Sequence, residues 1–375
     1  MAVTSKGTAA GLVDWRTVER LTALIPAGPS ASRSARASSV AVLRRSALEA
    51  PAWVARITGL NRAAQQVAET TRVSVVDRAG LVRASTRALR GLMEQVPAPQ
   101  ASEAVRLVGA AEMAGAMSLL ATRLLGQVVP AAGTGADGDA GREGEASPHL
   151  LLVAPNVLAM RRQLDLDMLD LPAWVCLHEM THAVQLAAAP WLGPYLSDSM
   201  RMVIGAVVEA VYGGPGGGAD GTGEQGLRRR PGRAARIAAR AGRGRVLEGL
   251  TNFKERSEVA SLAAALTFLE GHAEVVLDDV HPNRMPSVHR LRAVLSRSRA
   301  ADAGIGPGPG LGSLLLHRLM GLEAKEAQYA DGAAFVRSVV TRIGHEGLNA
   351  VWADPELLPT SAELARPDVW VRRVS

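Results

Sequence analysis

The chain has 375 residues, 47% of them hydrophobic and 21% charged, which supports a sizeable core and excludes, by composition, both an intrinsically disordered chain and a membrane protein. A formal net charge of +6 invites an acidic partner, but aromatic residues are only 3% of the chain, which argues against stacking on single-stranded nucleic acid. Eight arginines and no acidic residue fall between Arg228 and Arg245, so the positive balance belongs to that one tract and nucleic acid is not an expected partner.

The opening residues, Met1 to Trp15, hold no apolar stretch of the secretory kind. Apolar residues at three- and four-residue spacing predict helices over 13–24, 39–58, 61–70, 81–95 and 102–129. Pro26, Pro29, Pro51, Pro97 and Pro99 punctuate them. The run 107–122 is the longest apolar one; it is too short for a bilayer and carries Glu112. A short β-branched piece, 73–76, reads as a strand. Residues 130–148 lack large apolar side chains and read as a linker between domains. Leu150 to Val153 reads as an edge strand, closed by Pro155. Helices are then expected over 172–188 and 257–280, and a Gly-rich, Arg-rich insertion over 213–245. The fold class is therefore mainly α with at most a few short strands. It divides into an N-terminal helical domain, 10–129, and a second domain, 149–375. The single cysteine, Cys176, excludes a disulfide framework and fits a reducing cytoplasm; no membrane partner is expected, and the oligomeric state is left open.

The first of the two later helices carries His178-Glu179-Met180-Thr181-His182. One helical turn puts His178 and His182 on one face, where two imidazoles can hold one Zn²⁺. Glu179 lies about 100° further round and can act as general base toward an activated water. The stripe that bears the histidines is otherwise apolar: Leu171, Trp174, Val175 and Leu186. Buried histidines need partners, and an ion is one.

Zinc takes a third protein ligand and keeps a fourth position open in catalytic sites. The downstream Gly and His of metzincins are replaced here by Gln185 and Ala188, which excludes that class. The second helix offers Glu270-Gly-His272-Ala-Glu274. Glu270 is the first choice of ligand, with Glu274 beside it to orient a histidine. His272 competes as a ligand and is also the candidate for stabilising an oxyanion. His272-Ala-Glu274 matches the H-x-E of zinc deaminases, but no P-C-x-x-C follows, so that reading fails. Tyr195, His281 and Tyr329 are weaker oxyanion candidates. Cys176 reads as a small core residue, and His345-Glu346 as surface.

These segments resemble the zincin-like metallopeptidases of type 2, a family of bacterial zinc hydrolases. The resemblance runs from Val13-Asp-Trp15 and Val75-Val-Asp-Arg78 through Val153-Ala-Pro-Asn156, the His178 to Gln185 segment and Pro190-Trp-Leu192. It continues through Glu270 to Glu274, Gly321-Leu322, Lys325, Gln328-Tyr329, and Val351-Trp352 to Trp370. It implies a helical N-terminal domain followed by a mostly helical zincin domain. Glu-Gly-x-Ala at 270–273 is also similar to the ligand segment of gluzincin aminopeptidases, which favours Glu270. The expected activity is zinc-dependent hydrolysis of a peptide or small amide. A non-peptide amide or ester hydrolase, or a non-catalytic binding protein on the same scaffold, are the alternatives.

Overall fold

The computed structural model describes residues 7–129, 148–212, 253–301 and 332–375. The expected linker and insertion lie almost wholly outside these residues. The fold is mainly helical, as expected. A short strand β1 (Gly7–Thr8) leads through a 3-10 turn to α1 (Trp15–Thr22), α2 (Arg33–Thr58) and α3 (Asn61–Thr70). Strand β2 (Arg72–Val76), α4 (Arg78–Glu94), β3 (Pro97–Ala98), α5 (Glu103–Arg123) and β4 (Gly126–Val129) follow. Then come β5 (His149–Val153), α6 (Ala154–Gln163), α7 (Asp170–Ala188), α8 (Leu192–Tyr212), α9 (Phe253–Asp278), α10 (Val288–Ala301) and α11 (Gly332–Leu348).

Several helix starts obey local chemistry. Asp14, Ser32, Asp77 and Ser102 each accept a hydrogen bond from the first turn of α1, α2, α4 and α5. Helix α2 ends at Gly59, whose φ of 76° is the left-handed cap that glycine adopts freely. Pro51 lies inside α2, as it does in the 39–58 helix expected from the sequence. A proline there costs about 3 kcal/mol. The burial of Leu43, Ala47, Ala50 and Val54 against the central cluster offsets it.

The sheet corrects three expectations. Its order is β2-β5-β4, with β2 parallel and β4 antiparallel to β5. The 150–153 run is thus the central strand, not an edge. Its side chains alternate between two cores. Leu150 and Leu152 join one cluster; Leu151 and Val153 join another. A continuous apolar run is what a strand covered on both faces requires. The end of the predicted 102–129 helix is strand β4, because Leu124 leaves the helical region at ψ 133°. Residues 130–148 also do not separate two cores. Strands β2 and β4 come from before them and β5 from after, and the cluster around α7 mixes residues from both sides.

Helix α7 is buried on nearly every face from Asp170 to Gln185, packed among α2, α3, α9 and the sheet. Its first turn is capped by Asp167, whose Oδ1 accepts from the N–H groups of Leu169 and Asp170 at 2.7 and 3.0 Å. Asp170 in turn accepts from the N–H and hydroxyl of Ser287, which ties the helix to the turn before α10. Two described helices are long and apolar enough to cross a bilayer by length and composition. One is α5, 21 residues long, which extends the apolar segment judged too short from the sequence. The other lies within α9 and is mostly buried inside the protein.

The two segments Val75-Val-Asp-Arg78 and Val153-Ala-Pro-Asn156 meet in space. Their strands pair in register, and the Arg78 Nε donates to Asn156 Oδ1 at 2.7 Å. The buried Asn156 amide donates to the carbonyls of Ala121 and Leu124 at 2.8 and 2.7 Å. This knot fixes the chain just before β4, which lies against α7.

Candidate metal centre

Helix α7 presents His178 and His182 to α9, which presents Glu270. The Nε2 atoms of the two histidines are 3.3 Å apart. Glu270 Oε2 lies 3.5 Å from His178 Nε2, and Glu270 Oε1 lies 3.7 Å from His182 Nε2. All three donor atoms fall within 4.8 Å of one another. Four ligands placed tetrahedrally at about 2.0–2.1 Å from zinc have donor atoms about 3.3 Å apart. The spacing and the His-His-carboxylate donor set therefore both fit a zinc ion. The His182 and Glu270 side chains remain 17% and 27% exposed, so the cluster opens to solvent on one side.

The electrostatics couple these groups. Burial disfavours the charged form of Glu270, but His182 and His178 outweigh it and hold the carboxyl well below its usual range. Burial also disfavours a charged His182; Glu270, Glu179 and the Gln185 hydrogen bond overcome it and raise the imidazole to about 9. Glu179 is buried beside all three. Burial pushes its pKa up, partly offset by the two histidines and by the Val128 N–H, which donates to the carboxylate. That N–H belongs to β4, so the strand holds this side chain at the cluster. A carboxylate raised toward neutrality is suited to exchanging protons.

His272 is not at the cluster. Two residues along a helix turn the side chain by about 200°, so His272 and Glu270 leave α9 on opposite faces. Its ring is fully buried, stacked on Phe268 with centroids 6.3 Å apart and edge-on to Trp352 at 5.3 Å. Burial, then the nearby His345 and His182, pushes its pKa down to about 3. The oxyanion role expected of His272 does not fit this buried position. Glu274 pairs with Arg337 at 3.2 Å. A residue that does lie against a ligand histidine is Gln185, whose Oε1 is 2.8 Å from His182 Nδ1. Sequence reasoning passed over it as the place where another zinc-peptidase class has glycine.

The other candidates lie elsewhere. Tyr195 packs edge-on against Trp191 at 6.1 Å. His281 Nδ1 accepts from the Asn283 N–H within a turn. His345 pairs with Asp279 at 2.9 Å. Cys176 is a buried core residue whose thiol donates to the Leu43 carbonyl, as its reading as a small hydrophobe implies. Tyr329, with Gly321-Leu322, Lys325 and Gln328, lies outside the described residues.

Comparison with known proteins gives two matches. A family model described as Zincin-like metallopeptidase matches residues 13–371, nearly the whole chain. The fold is similar to a crystal structure from Chloroflexus aurantiacus described as "a putative hydrolase with a novel fold". The identity is 21%, the TM-score 0.57, and the match covers 96% of this chain and 98% of that one. No curated protein matches the chain.

Proposed function

The chain belongs to the zincin-like metallopeptidase family, and from that premise we propose that it is a zinc-dependent peptidase. His178, His182 and Glu270 would hold the ion, and Glu179 would serve as general base. The family and the similar fold support the coarser statement, a metallohydrolase. The observation that supports the ion site and its base is the set of donor distances, 3.3, 3.5 and 3.7 Å, with the Glu179 carboxylate buried beside it.

When bound, zinc supplies Lewis acidity that lowers the pKa of a water toward about 7 and polarises a carbonyl. The chain supplies the rest. Glu179 takes the proton from the attacking water and returns it to the leaving amine. Burial raises its pKa, which favours the second transfer, while the Val128 N–H keeps the carboxylate in place. The partly exposed side of Glu270 and His182 is where a peptide or small amide would enter. As part of the same proposal the protein works in the cytoplasm, a reading supported by a single cysteine that is free and buried.

The test is metal analysis together with hydrolysis of a peptide library. The expected result is one zinc per chain, lost in His178→Ala, and cleavage abolished by Glu179→Gln with zinc retained. Cleavage of esters or non-peptide amides alone would replace the peptidase with a different hydrolase. Zinc retained with no Glu179-dependent reaction would leave a binding protein.

A further inference from the structure

Behind the cluster, Gln185 joins the two helices that bear its ligands. It is 1% exposed and lies on α7 one turn beyond His182. Its Oε1 is 2.8 Å from His182 Nδ1. Its Nε2 is 2.9 Å from both the Leu269 carbonyl oxygen and His272 Nδ1. A backbone carbonyl can only accept a hydrogen bond. The amide must therefore turn its nitrogen to Leu269 and its oxygen to His182. That oxygen is itself an acceptor, so the His182 Nδ1 carries a hydrogen and Nε2 is the nitrogen turned to Glu270 and His178. By the same logic His272 Nδ1 accepts the second amide hydrogen. The His272 proton then sits on Nε2, enclosed by the aromatic pocket of Phe268 and Trp352.

The geometry points to Gln185 and His272 as positioning residues: together with the Leu269 carbonyl they orient one amide, and the amide fixes His182 in the tautomer that offers Nε2 to the ion. This rests on the reading that His178, His182 and Glu270 hold zinc. Leu269 directly precedes Glu270 in sequence. A single amide thus sets the tautomer of the α7 ligand against the backbone beside the α9 ligand. Hydrogen bonds of this kind to a ligand histidine raise its basicity and hold its ring in the coordinating orientation.

The experiment measures zinc affinity of the full chain by chelator competition, with the thermal melt of the metal-free protein as a separate readout of folding. Gln185→Leu should weaken zinc binding about 10–100-fold. His272→Leu removes the acceptor but keeps the pocket apolar, and should weaken binding about tenfold. His272→Asn keeps an acceptor oxygen for the Gln185 amide and should bind zinc near the wild-type level. Metal-free melts of both His272 variants should match wild type. Wild-type affinity in Gln185→Leu and His272→Leu would overturn the relay while leaving the ion site intact. If Gln185→Leu does not fold, the His272 pair decides. Equal losses in His272→Leu and His272→Asn would show that the ring acts by packing, and the relay fails. If the wild-type chain itself takes no zinc, or takes it independently of His178, the ion site fails and the relay with it.

Discussion

A Cβ placed on Gly126 would lie 2.7 Å from Cγ of Glu179. The glycine leads β4 with ordinary extended geometry, so backbone freedom is not its purpose. It lets the strand press against α7 closely enough for the Val128 N–H to reach the Glu179 carboxylate. Gly126→Ala should push that carboxylate off its position while leaving the zinc ligands alone. A displacement near 1 Å at a reacting group costs about 10²-fold in rate. The expected result is a kcat lowered by about that factor with zinc content unchanged. Loss of zinc along with activity would show that β4 supports the whole cluster and not the base.

Zinc affinity should depend on pH through His182. With its pKa raised to about 9, this imidazole is protonated at neutral pH in the zinc-free protein and must lose the proton to coordinate. Glu270, held low, is already ionised there and needs no such change. Affinity should therefore rise about tenfold per pH unit up to about 9 and then level off. Calorimetry in buffers of different ionisation enthalpy should report about one proton released per zinc at neutral pH. Zinc at 100 times its Kd should add about 2.7 kcal/mol to stability. A flat affinity between neutral pH and 9 would mean that His182 is not the ligand that titrates.

The parts of this site that the sequence displays are those set by helical period. His178, Glu179 and His182 are placed by one turn of one helix, and Glu270 is placed by the apolar stripe on the other. Gln185 was invisible because its partners Leu269 and His272 lie more than 80 residues away, and only packing of α7 on α9 brings them together. The same limit hid the role of 150–153. Four apolar residues in a row fit an edge, a centre or a buried helix equally well. Only β2 and β4, both from the far side of residues 130–148, make it the centre. His272 was misplaced for a simpler reason: residue type suggested chemistry, whereas its angle on α9 turned it into the Phe268 and Trp352 pocket.

The glycine between Glu270 and His272 has a packing cause. A Cβ on Gly271 would fall 2.2 Å from the Gly332 carbonyl carbon and 2.5 Å from the Ala333 nitrogen. These are backbone atoms of α11, so no side chain can move aside. Gly271→Ala must part α9 from α11, at a cost of about 1–3 kcal/mol or more. Because Glu270 is the preceding residue, the shift should reach the cluster as well. Melting temperature and zinc affinity should fall together. An alanine variant that loses stability but binds zinc normally would show that α9 can move at Gly271 without carrying Glu270.

The C-terminal segment closes the cluster that contains Phe268 and Trp352, and its chief polar tie is Glu363 with Arg373. Arg373 Nε donates to Glu363 Oε1 at 2.7 Å, and its other nitrogens reach the carbonyls of Glu356 and Leu358 at 2.7 and 3.0 Å. Glu363 also closes a capping box with Thr360. Burial alone would raise the pKa of this carboxyl, but Arg373 and Thr360 lower it. A group with a lowered folded pKa contributes stability that is present above its unfolded value, about 4.3, and disappears as pH falls through the folded value. Glu363→Gln keeps the cap but removes the charge. At neutral pH it should cost about 1–2 kcal/mol, a figure held down by the partial exposure of Arg373. In urea unfolding series, the gap between wild type and variant should narrow as pH drops below the unfolded value, because the wild-type carboxylate is then being protonated too. A gap that stays constant into acid would assign the loss to altered packing around Trp370 and not to the Glu363–Arg373 pair.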